Sequence, residues 1–387
     1  MKLSSVQENL ARGLAMVGRA VATRNPLPVT SNVLLATDEG RLKLAGTNLD
    51  IAITCWISAK VDEEGAITVP ARLLAEFVNS LPNDRVDMKL AERQRSLNLK
   101  CGAFEANIKG IDAEEFPPIP NVGSESPIAV DAGDFRDAID LVAFAAASDD
   151  SRPVLAGVSM TFEGDKLVLA AADGFRLAVR EMNLPGATLE RVSIIVPARA
   201  LQELSRLIQH TAEVVDGGDG DPPKLQINVT PNRNQVLFRM TDVQLVSRLI
   251  EGAFPNYQQI IPKSHTTRVI VSTKEFLGAT RIASYFARDS ANIVRLHATP
   301  GVDVAPGQLQ IAATAAEVGD TAGSIDAAIE GEDAQIAFNA KYLSDVLGVI
   351  DAAQVALEVT GPSSPGVIRP LGTEGYTHVI MPMHVAR

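Results

Sequence analysis

Apolar residues recur at helical spacing in six segments, and the segments come in three pairs along the chain. In each pair the first segment predicts a helix that opens a copy of a larger unit. Its apolar positions are Val6, Leu10, Leu14 and Val17 in the first pair, Phe135, Ala138, Ile139, Val142 and Ala146 in the second, and Phe276, Ala279, Ala283 and Phe286 in the third. The second segment predicts another amphipathic helix. Its apolar positions are Leu74, Phe77, Val78 and Leu81, then Leu201, Leu204, Leu207 and Ile208, then Leu343, Val346, Leu347 and Ile350.

Between these helices the pattern changes to alternation of apolar and polar residues, which predicts strands. Arg41–Leu44 and Lys166–Leu169 alternate in this way, and glycine and aspartate turns bound them. Further strands, such as Val236–Met240 and Thr377–Met381, close the later copies. The predicted fold class is α+β, with two helices packed on one face of an antiparallel sheet in each copy.

The sequence repeats itself at a period of about 125 residues. Pro28–Val33 resembles Pro153–Val158, and Ile67–Leu74 resembles Ile194–Leu201 with the same Pro-Ala-Arg core. A weaker third copy is Ile336–Leu343. A period this long indicates duplicated domains, because solenoid repeats are about 20 to 50 residues long. Proline clusters at the junctions place the domains at residues 1–122, 128–254 and 255–387.

Composition excludes several classes of protein. Of the 387 residues, 46% are apolar and 21% charged, which is typical of a globular chain. The net charge of −12 excludes a protein that coats nucleic acid by uniform positive charge, although a local basic surface remains open. Two cysteines, Cys55 and Cys101, cannot form a disulfide framework and fit a reducing cytoplasm. We expect no membrane span, because no apolar run approaches about 18 residues.

Motifs that would indicate catalysis are missing from the sequence. There is no nucleotide-binding glycine loop, no HExxH metal motif and no GxSxG elbow. Adjacent carboxylates such as Asp149 and Asp150, or Glu114 and Glu115, face different directions on a helix or strand and make poor catalytic pairs. We therefore expect neither an enzyme nor a cofactor or metal site.

Cations recur at one position of the second helix in all three copies. Arg72, Arg199 and Lys341 each follow an alanine at the start of that helix. A solvated outer face would explain a single such residue. Recurrence favours a common lining that contacts the phosphates of a duplex without reading its sequence.

Two further segments have alternative interpretations. Ala172–Leu177 contains Gly174, which permits unusual backbone geometry, and Arg176, which fits either a structural ion pair or a binding role. The chain ends near Val379–Met383, an apolar segment that fits either a buried last strand or an adaptable peptide-binding surface.

With these segments in place, the chain resembles the family of the DNA polymerase III beta subunit, the bacterial sliding clamps. The resemblance extends from Met1 to the C-terminus, and its motifs occur in order at nearly the family's spacing. These motifs are Leu27–Val29, Val69–Arg72, Glu115–Pro117, Ser151–Leu155, Ala172–Leu177, Ser247–Gly252, Phe254–Tyr257, Phe338–Tyr342 and Val379–Met383.

The resemblance implies three tandem DNA-clamp domains and a head-to-tail homodimer that closes into a six-domain ring. Such a ring encircles duplex DNA, catalyses no reaction and needs no cofactor. The implied partners are duplex DNA, a second copy of the chain, the polymerase III alpha subunit, the clamp-loader complex, and other polymerases and repair proteins that carry clamp-binding peptides. The implied location is the bacterial cytoplasm, at the nucleoid.

The resemblance also implies three kinds of site. Partner peptides would bind a cleft between domains two and three, formed by Leu155, Ala172, Gly174, Phe175, Arg176, Leu177, Pro255, Gln259, Ile260, Asn339, Tyr342, Val379, Ile380, Met381, Pro382 and Met383. DNA would contact Arg24 and Arg152 as well as the three helix cations Arg72, Arg199 and Lys341. The dimer would use Phe104, Tyr285 and Phe286, for which a core role is the alternative.

Some positions of the cleft depart from the family pattern. Gln259 and His384 stand where relatives often have arginine, and Phe175 stands where histidine or tyrosine is common. We therefore expect a less cationic and more apolar cleft than in some relatives. Two other functions remain open from the sequence: an enzyme with its site around Asp173 and Arg176, and a scaffold that shares the fold without binding DNA.

Overall fold

The computed structural model describes residues 1–22, 27–120, 127–149, 151–215, 224–302 and 304–384. The chain forms two compact units. The first contains residues 1–136 and 203–249, and the second contains residues 137–202 and 250–387. Each unit therefore combines one outer copy of the repeat with part of the middle copy.

The described residues contain six α-helices, two in each predicted copy, as the apolar spacing predicts. Helix α1 contacts strands of its own unit, and so does α5, because each buries one apolar face against a sheet. Within their units, α1 also packs on α2, and α5 on α6. The helices are α1 (Gln7–Val17), α2 (Ala71–Ser80), α3 (Ala132–Val142), α4 (Ala198–Val215), α5 (Thr273–Ala287) and α6 (Ala340–Val349).

The predicted apolar faces of the second helices are confirmed. The four predicted apolar residues of α4 and the four of α6 are all buried. In α2, Leu74 and Val78 are completely buried, whereas Phe77 is half-buried. Pro70 and Pro197 end the preceding strands, so these helices begin at the following alanine and not at the proline.

One part of the predicted element order is wrong, because a short strand precedes the first helix of every copy. Val6, which was assigned to the first helix, ends the strand in copy one and is 47% exposed. In copy three the strand ends at Ser272, whose Oγ accepts a hydrogen bond from the Glu275 N–H at 3.4 Å and caps α5. These strands of four to six residues are too short to show a clear alternation.

Nine strands lie in the described residues of copy one. They are β1 (Lys2–Val6), β2 (Asn32–Asp38), β3 (Arg41–Thr47), β4 (Ile51–Ile57), β5 (Lys60–Glu63), β6 (Ala66–Pro70), β7 (Arg85–Ala91), β8 (Ser96–Cys101) and β9 (Phe104–Lys109).

Copies two and three contain the remaining strands of the described residues. Those of copy two are β10 (Ile128–Asp131), β11 (Gly157–Ala172), β12 (Arg176–Pro197), β13 (Lys224–Val229), β14 (Gln235–Arg239) and β15 (Val243–Arg248). Those of copy three are β16 (Thr267–Ser272), β17 (Ile293–Thr299), β18 (Gly307–Ala315), β19 (Gly319–Gly331), β20 (Ala334–Asn339), β21 (Gln354–Val359), β22 (Gly366–Pro370) and β23 (Tyr376–Ile380).

All strand pairings are antiparallel, and sheets continue from one copy of the repeat into the next. In the first unit a five-stranded sheet has the order β5-β1-β7-β8-β9, and an eight-stranded sheet has the order β10-β13-β14-β15-β4-β3-β2-β6. The second unit has a ten-stranded sheet, β11-β12-β23-β22-β21-β16-β19-β18-β17-β20. Strand β15 of copy two pairs with β4 of copy one, and β23 of copy three pairs with β12 of copy two. The division into two units follows these pairings, and the domain boundaries at 122, 128 and 254 remain a prediction.

No helix in the described part of the chain combines the length and the apolar character needed to cross a lipid bilayer.

Candidate peptide-binding cleft and cationic helix faces

A tight turn joins β11 to β12 in the second unit and places three predicted cleft residues. The Asp173 carboxylate accepts hydrogen bonds from the N–H groups of Phe175 and Arg176, at 2.8 and 3.0 Å. Gly174, which lies between Asp173 and Phe175, has a φ of +95°, a backbone conformation that residues with a Cβ rarely adopt. The pairing of Ala172 with Leu177 is the last strand pair before this turn.

Arg176 is buried beside this turn, and each of its three guanidinium nitrogens has a partner. Its Nε and Nη1 lie 3.0 Å from Asp173 Oδ2 and 2.6 Å from Asp345 Oδ2, and its Nη2 donates to the Phe144 carbonyl at 2.8 Å. The rings of Phe144 and Tyr342 lie 5.3 and 4.6 Å from the guanidinium carbon. A buried charge needs such pairing. Of the two interpretations that the sequence left open for Arg176, the ion pair is therefore present, and a role in binding remains a prediction.

The floor of the candidate cleft is an apolar cluster made by three strands. Leu177, Val367 and Val379 are buried together, and partly buried Ala172, Val179, Tyr257 and Ile261 pack on them. Leu177 pairs directly with Val379, and Val379 with Val367. Burial raises the pKa of the Tyr257 hydroxyl, which stays neutral.

Exposed apolar side chains surround this floor. Phe175 is 57% exposed, Ile260 45% and Met381 37%. The Met381 N–H donates to the Phe175 carbonyl at 2.8 Å, and the Met383 N–H donates to the Ala337 carbonyl at the same distance. The segment that follows β23 is therefore fixed at two points, of which the first places Met381 next to the turn and the second places Met383 next to β20.

Helix α6 supplies a further part of the predicted cleft. Asn339 caps it, since its Oδ1 accepts from the Lys341 N–H at 2.9 Å. Tyr342 is half-buried under Arg176, and burial, with the nearby Asp173 and Asp345 carboxylates, raises the pKa of its hydroxyl.

The other predicted cleft residues lie on loops or in strands of the same unit. Leu155 is half-buried in the 3-10 helix Pro153–Ala156, and Pro255 and Gln259 are exposed. Ile380 is buried at the end of β23, Pro382 and Met383 are half-buried, and His384 is exposed. The sequence prediction missed Val367, Tyr257 and Ile261 of the floor, and it missed Asp345 and Phe144 beside Arg176.

The predicted DNA-contacting cations lie on the surface. Arg199 is exposed, as are Gln202, Arg206 and Gln209, so α4 has a polar face opposite its buried leucines. Arg72 Nε lies 2.8 Å from Glu76 Oε1, and Lys341 Nζ lies 2.8 Å from Asp345 Oδ2. In both pairs the cation itself lies on the surface, where it is able to exchange its carboxylate partner for another anion.

Arg152, another predicted DNA contact, lies in a loop. Arg152 is half-exposed, and its Nη2 donates to the backbone carbonyl of Asp173 at 3.0 Å. Asp149 lies 3.9 Å from the same guanidinium, and hydrogen bonds from Ser151 lower the pKa of that carboxyl. Arg24 lies outside the described residues.

Two of the three predicted dimer residues are more exposed than a core role allows. Phe104 is 56% and Tyr285 63% exposed, and Phe286 is half-buried. Phe104 begins β9, an edge strand of the five-stranded sheet. Ile282, three residues before Tyr285 on α5, is 59% exposed and was missed by the sequence prediction. Whether these residues form a dimer contact remains a prediction.

At the candidate enzymatic site around Asp173, both oxygens of the carboxylate are already engaged in hydrogen bonds. Its Oδ1 caps the turn and its Oδ2 pairs with Arg176, so neither oxygen is available as a general base. Among the residues that the structure describes, no group of three or more His, Cys, Asp and Glu side chains could hold a metal ion.

Family models match almost the entire chain. The N-terminal domain of the DNA polymerase III beta subunit matches residues 1–120, its central domain residues 129–256, and its C-terminal domain residues 258–384.

Individual proteins match at full length. The beta sliding clamp of Synechococcus elongatus is 34% identical over 388 residues and covers 100% of both chains, and that of Bacillus subtilis is 28% identical over 393 residues and covers 99% of both. Among solved structures, the sliding clamp from Bacillus subtilis superposes with a TM-score of 0.90 at 28% identity. A sliding clamp from Pseudomonas aeruginosa bound to griselimycin superposes with a TM-score of 0.89 at 27% identity. Both structural matches cover 100% of each chain.

Proposed function

The chain belongs to the family of the DNA polymerase III beta subunit, the bacterial sliding clamps, which are replication processivity factors and not enzymes, and we propose that it works as a ring around duplex DNA. In this proposal two copies join head to tail and enclose the duplex. The ring then tethers the replicative polymerase and other partners through the cleft described above. The single observation that carries the proposal is the match of all three family domains, in order, along the chain.

Self-association is supported by the surface of the two outer copies. Exposed Phe104 lies on the edge strand β9, and edge strands pair readily with a second chain. Tyr285 and Ile282 offer exposed apolar surface on α5 of copy three. A contact between two different surfaces, repeated head to tail, closes into a ring when the rotation permits.

Sliding requires weak and mobile contacts. The exposed cations Arg72, Arg199 and Lys341 suit this role, and Arg72 and Lys341 can exchange between their carboxylate neighbours and DNA phosphates. The net charge of −12 disfavours tight non-specific adhesion elsewhere on the surface. The ring would stay on DNA because it cannot leave sideways, and not because it adheres.

Partner binding would use the cleft in the second unit. A short peptide with leucine and phenylalanine anchors would place them on the floor of Leu177, Val367 and Val379, beside the exposed rim of Phe175 and Met381. The proposed partners are the polymerase III alpha subunit, the clamp loader, and other polymerases and repair proteins that carry such peptides. A polymerase held in this way remains at high effective concentration near its template. We place this activity in the bacterial cytoplasm, at the nucleoid.

Retention on circular DNA tests the ring. The protein is loaded by a clamp loader and ATP onto nicked circular DNA, and the circle is then cut once. We expect retention on the circle and rapid loss after linearisation. Retention that survives cutting would contradict topological binding, and failure to be retained on the circle would favour a scaffold that does not bind DNA.

A second experiment tests the cleft. A variant that lacks Met381–Arg387 should lose binding to a peptide from the polymerase III alpha subunit, because the tail carries the rim methionines. Its retention on circular DNA should persist. Unchanged peptide affinity would place the peptide site elsewhere.

A further inference from the structure

One carboxylate oxygen joins the candidate DNA-facing surface to the candidate cleft. Asp345 Oδ2 lies 2.8 Å from Lys341 Nζ and 2.6 Å from Arg176 Nη1. The Lys341 side chain is 67% exposed, whereas that of Arg176 is 7% exposed. A surface cation and a buried cation therefore share a single acceptor.

We propose that Asp345 is a positioning residue that couples DNA contact at Lys341 to peptide binding in the cleft. The proposal rests on the proposed function, since it requires that Lys341 meets DNA and that the cleft binds peptides. Asp345 itself touches neither ligand. It acts through Arg176 and, beyond it, through Tyr342.

The direction of the coupling follows from competition for one oxygen. While Lys341 pairs with Asp345, it neutralises part of the charge that holds Arg176. When a DNA phosphate takes Lys341, the whole carboxylate faces Arg176 and the buried pair strengthens. DNA should therefore favour the paired state of Arg176.

Arg176 transmits this change to the cleft. Its guanidinium carbon lies 4.6 Å from the Tyr342 ring centre, so a firmly held Arg176 also fixes the ring. If the Tyr342 side of the cleft is already ordered before the peptide binds, less conformational entropy is lost on binding. DNA and peptide should thus bind with positive coupling, and the coupling must be reciprocal.

Another predicted DNA contact of this unit, Arg152, does not compete for the same group. Arg152 donates to the backbone carbonyl of Asp173 and not to the carboxylate oxygen that holds Arg176. The coupling is therefore assigned to Asp345.

Copy one provides an internal control. Arg72 and Glu76 form the same helical pair at 2.8 Å, four residues apart, as Lys341 and Asp345 do. Among the described residues, however, Glu76 forms no second ion pair with a buried cation, whereas Asp345 also holds Arg176. Phosphate contact at Arg72 therefore has no comparable route to a cleft.

The experiment compares peptide affinity on and off DNA. A fluorescent peptide from the polymerase III alpha subunit is titrated with free clamp and with clamp retained on nicked circular DNA. We expect affinity about fivefold higher on DNA, the lower end of ordinary coupling strengths. Lys341→Gln should bind the peptide in the free state as tightly as the wild type does on DNA, and DNA should add nothing.

Two more variants complete the comparison. Asp345→Asn should bind the peptide weakly in both states, while Asp345→Glu should restore part of the affinity and of the DNA effect. Arg72→Gln removes an equivalent cation and weakens DNA contact similarly, yet it should keep the wild-type gain. A merely structural role for Asp345 would lower affinity without removing the dependence on DNA. If Asp345→Asn does not fold, Lys341→Gln alone decides.

Equal affinity of the wild type on and off DNA would overturn the coupling, and so would a full DNA effect in Lys341→Gln. These outcomes differ from failure of the proposed function. In that case the wild type would not be retained on the circle, or the peptide would not bind at all.

Discussion

Asn48 and Asp173 occupy the same position in consecutive copies of the repeat and make the same hydrogen bonds. Asn48 Oδ1 accepts from the N–H groups of residues 50 and 51 at 3.0 and 2.9 Å, as Asp173 Oδ1 does from residues 175 and 176 at 2.8 and 3.0 Å. The residue that follows each has a positive φ, 78° at Leu49 and 95° at Gly174. The two copies thus share a turn, and they differ in the side chains that the turn presents.

The hydrogen bond beyond each turn is also shared. The Asp50 carbonyl accepts from the Arg248 N–H at 2.9 Å, and the Phe175 carbonyl accepts from the Met381 N–H at 2.8 Å. In copy two, phenylalanine and arginine stand where copy one has Asp50 and Ile51. An apolar, methionine-lined rim therefore forms only at the later junction, which supports the placement of the peptide site there.

Asp173→Ala should destabilise the second unit by about 2 to 3 kcal/mol, because it removes two backbone partners and one partner of the buried Arg176. Peptide affinity should fall with it, since the turn carries Phe175. The measurements are urea unfolding and peptide titration.

Asn48→Ala is the matched control in copy one. It removes the same two backbone hydrogen bonds but no ion pair, so we expect a loss of about 1 kcal/mol and unchanged peptide affinity. Equal losses in the two variants would mean that the contact with Arg176 adds nothing to stability.

Gly174→Ala should lower stability by about 1 to 2 kcal/mol, because alanine is strained at a φ of +95°. Its Cβ would also lie 2.8 Å from Arg152 Nη1 and displace that side chain from the turn. Leu49 at the equivalent position shows that a side chain can be accommodated there. We therefore expect a folded protein with weaker peptide binding.

Gly164→Ala gives the comparison for backbone strain alone. Gly164 also has a positive φ, of 62°, but a Cβ there would meet nothing within 4 Å. Stability should fall by a similar amount, about 1 kcal/mol, while peptide affinity stays at the wild-type value. If Gly164→Ala also bound the peptide more weakly, general destabilisation would explain the loss of peptide affinity in both variants.

The sequence predicted helices well where burial imposes a period. Leu201, Leu204, Leu207 and Ile208 are all buried because helical spacing places them on one face. The strand Ile128–Asp131 was missed, since four residues carry too little alternation to distinguish a strand from the start of a helix.

The candidate site was predictable only through its local motifs. Residues in the turn and in the last strand could be predicted as cleft residues because each motif is continuous in sequence. Val367 and Ile261 join the floor through strand pairing and packing that no local pattern encodes. The sequence shows Asp345 only as a possible helical partner of Lys341, which lies four residues before it. Its contact with Arg176 joins residues 169 positions apart, which no local pattern predicts.

Replacing both Arg72 and Arg199 by glutamine should weaken DNA contact without altering the cleft. Each lost phosphate contact should reduce the slope of log K against log salt by about 0.9, so the double variant should lose about 1.8 in slope per protomer, or about 3.6 for a ring of two copies. Binding to duplex DNA measured between low and moderate salt gives this slope.

Peptide affinity of the free protein is the control for that variant, and it should stay constant because neither residue belongs to the cleft. Replacement of exposed Gln202 by alanine on the same face of α4 should leave the salt slope unchanged. A wild-type slope in the double variant would show that these helix faces do not meet phosphates.

His378 makes the second unit sensitive to acid. It lies fully buried on β23, its ring is stacked 5.5 Å from Phe144, and neither ring nitrogen has a hydrogen-bond partner among the described residues. Burial, followed by the positive charge of Arg176, lowers the pKa of its imidazole to about 3. The ring is therefore neutral in the folded protein throughout the usual range of pH.

The unfolded chain binds a proton at this histidine below its ordinary pKa of about 6.5, whereas the folded chain does not until about 3. Stability should therefore fall as the pH drops through this window, by about 1.4 kcal/mol per unit from this group, and should not depend on it above pH 6.5. His378→Phe keeps a flat ring against Phe144 and removes the titration. Urea unfolding between pH 5.0 and 7.5 should show a flatter profile for the variant, with the two proteins closest in stability at pH 7.5. Parallel profiles would mean that His378 gains a proton in the folded state as readily as in the unfolded one. The burial of the ring against Phe144, near the charge of Arg176, predicts the opposite.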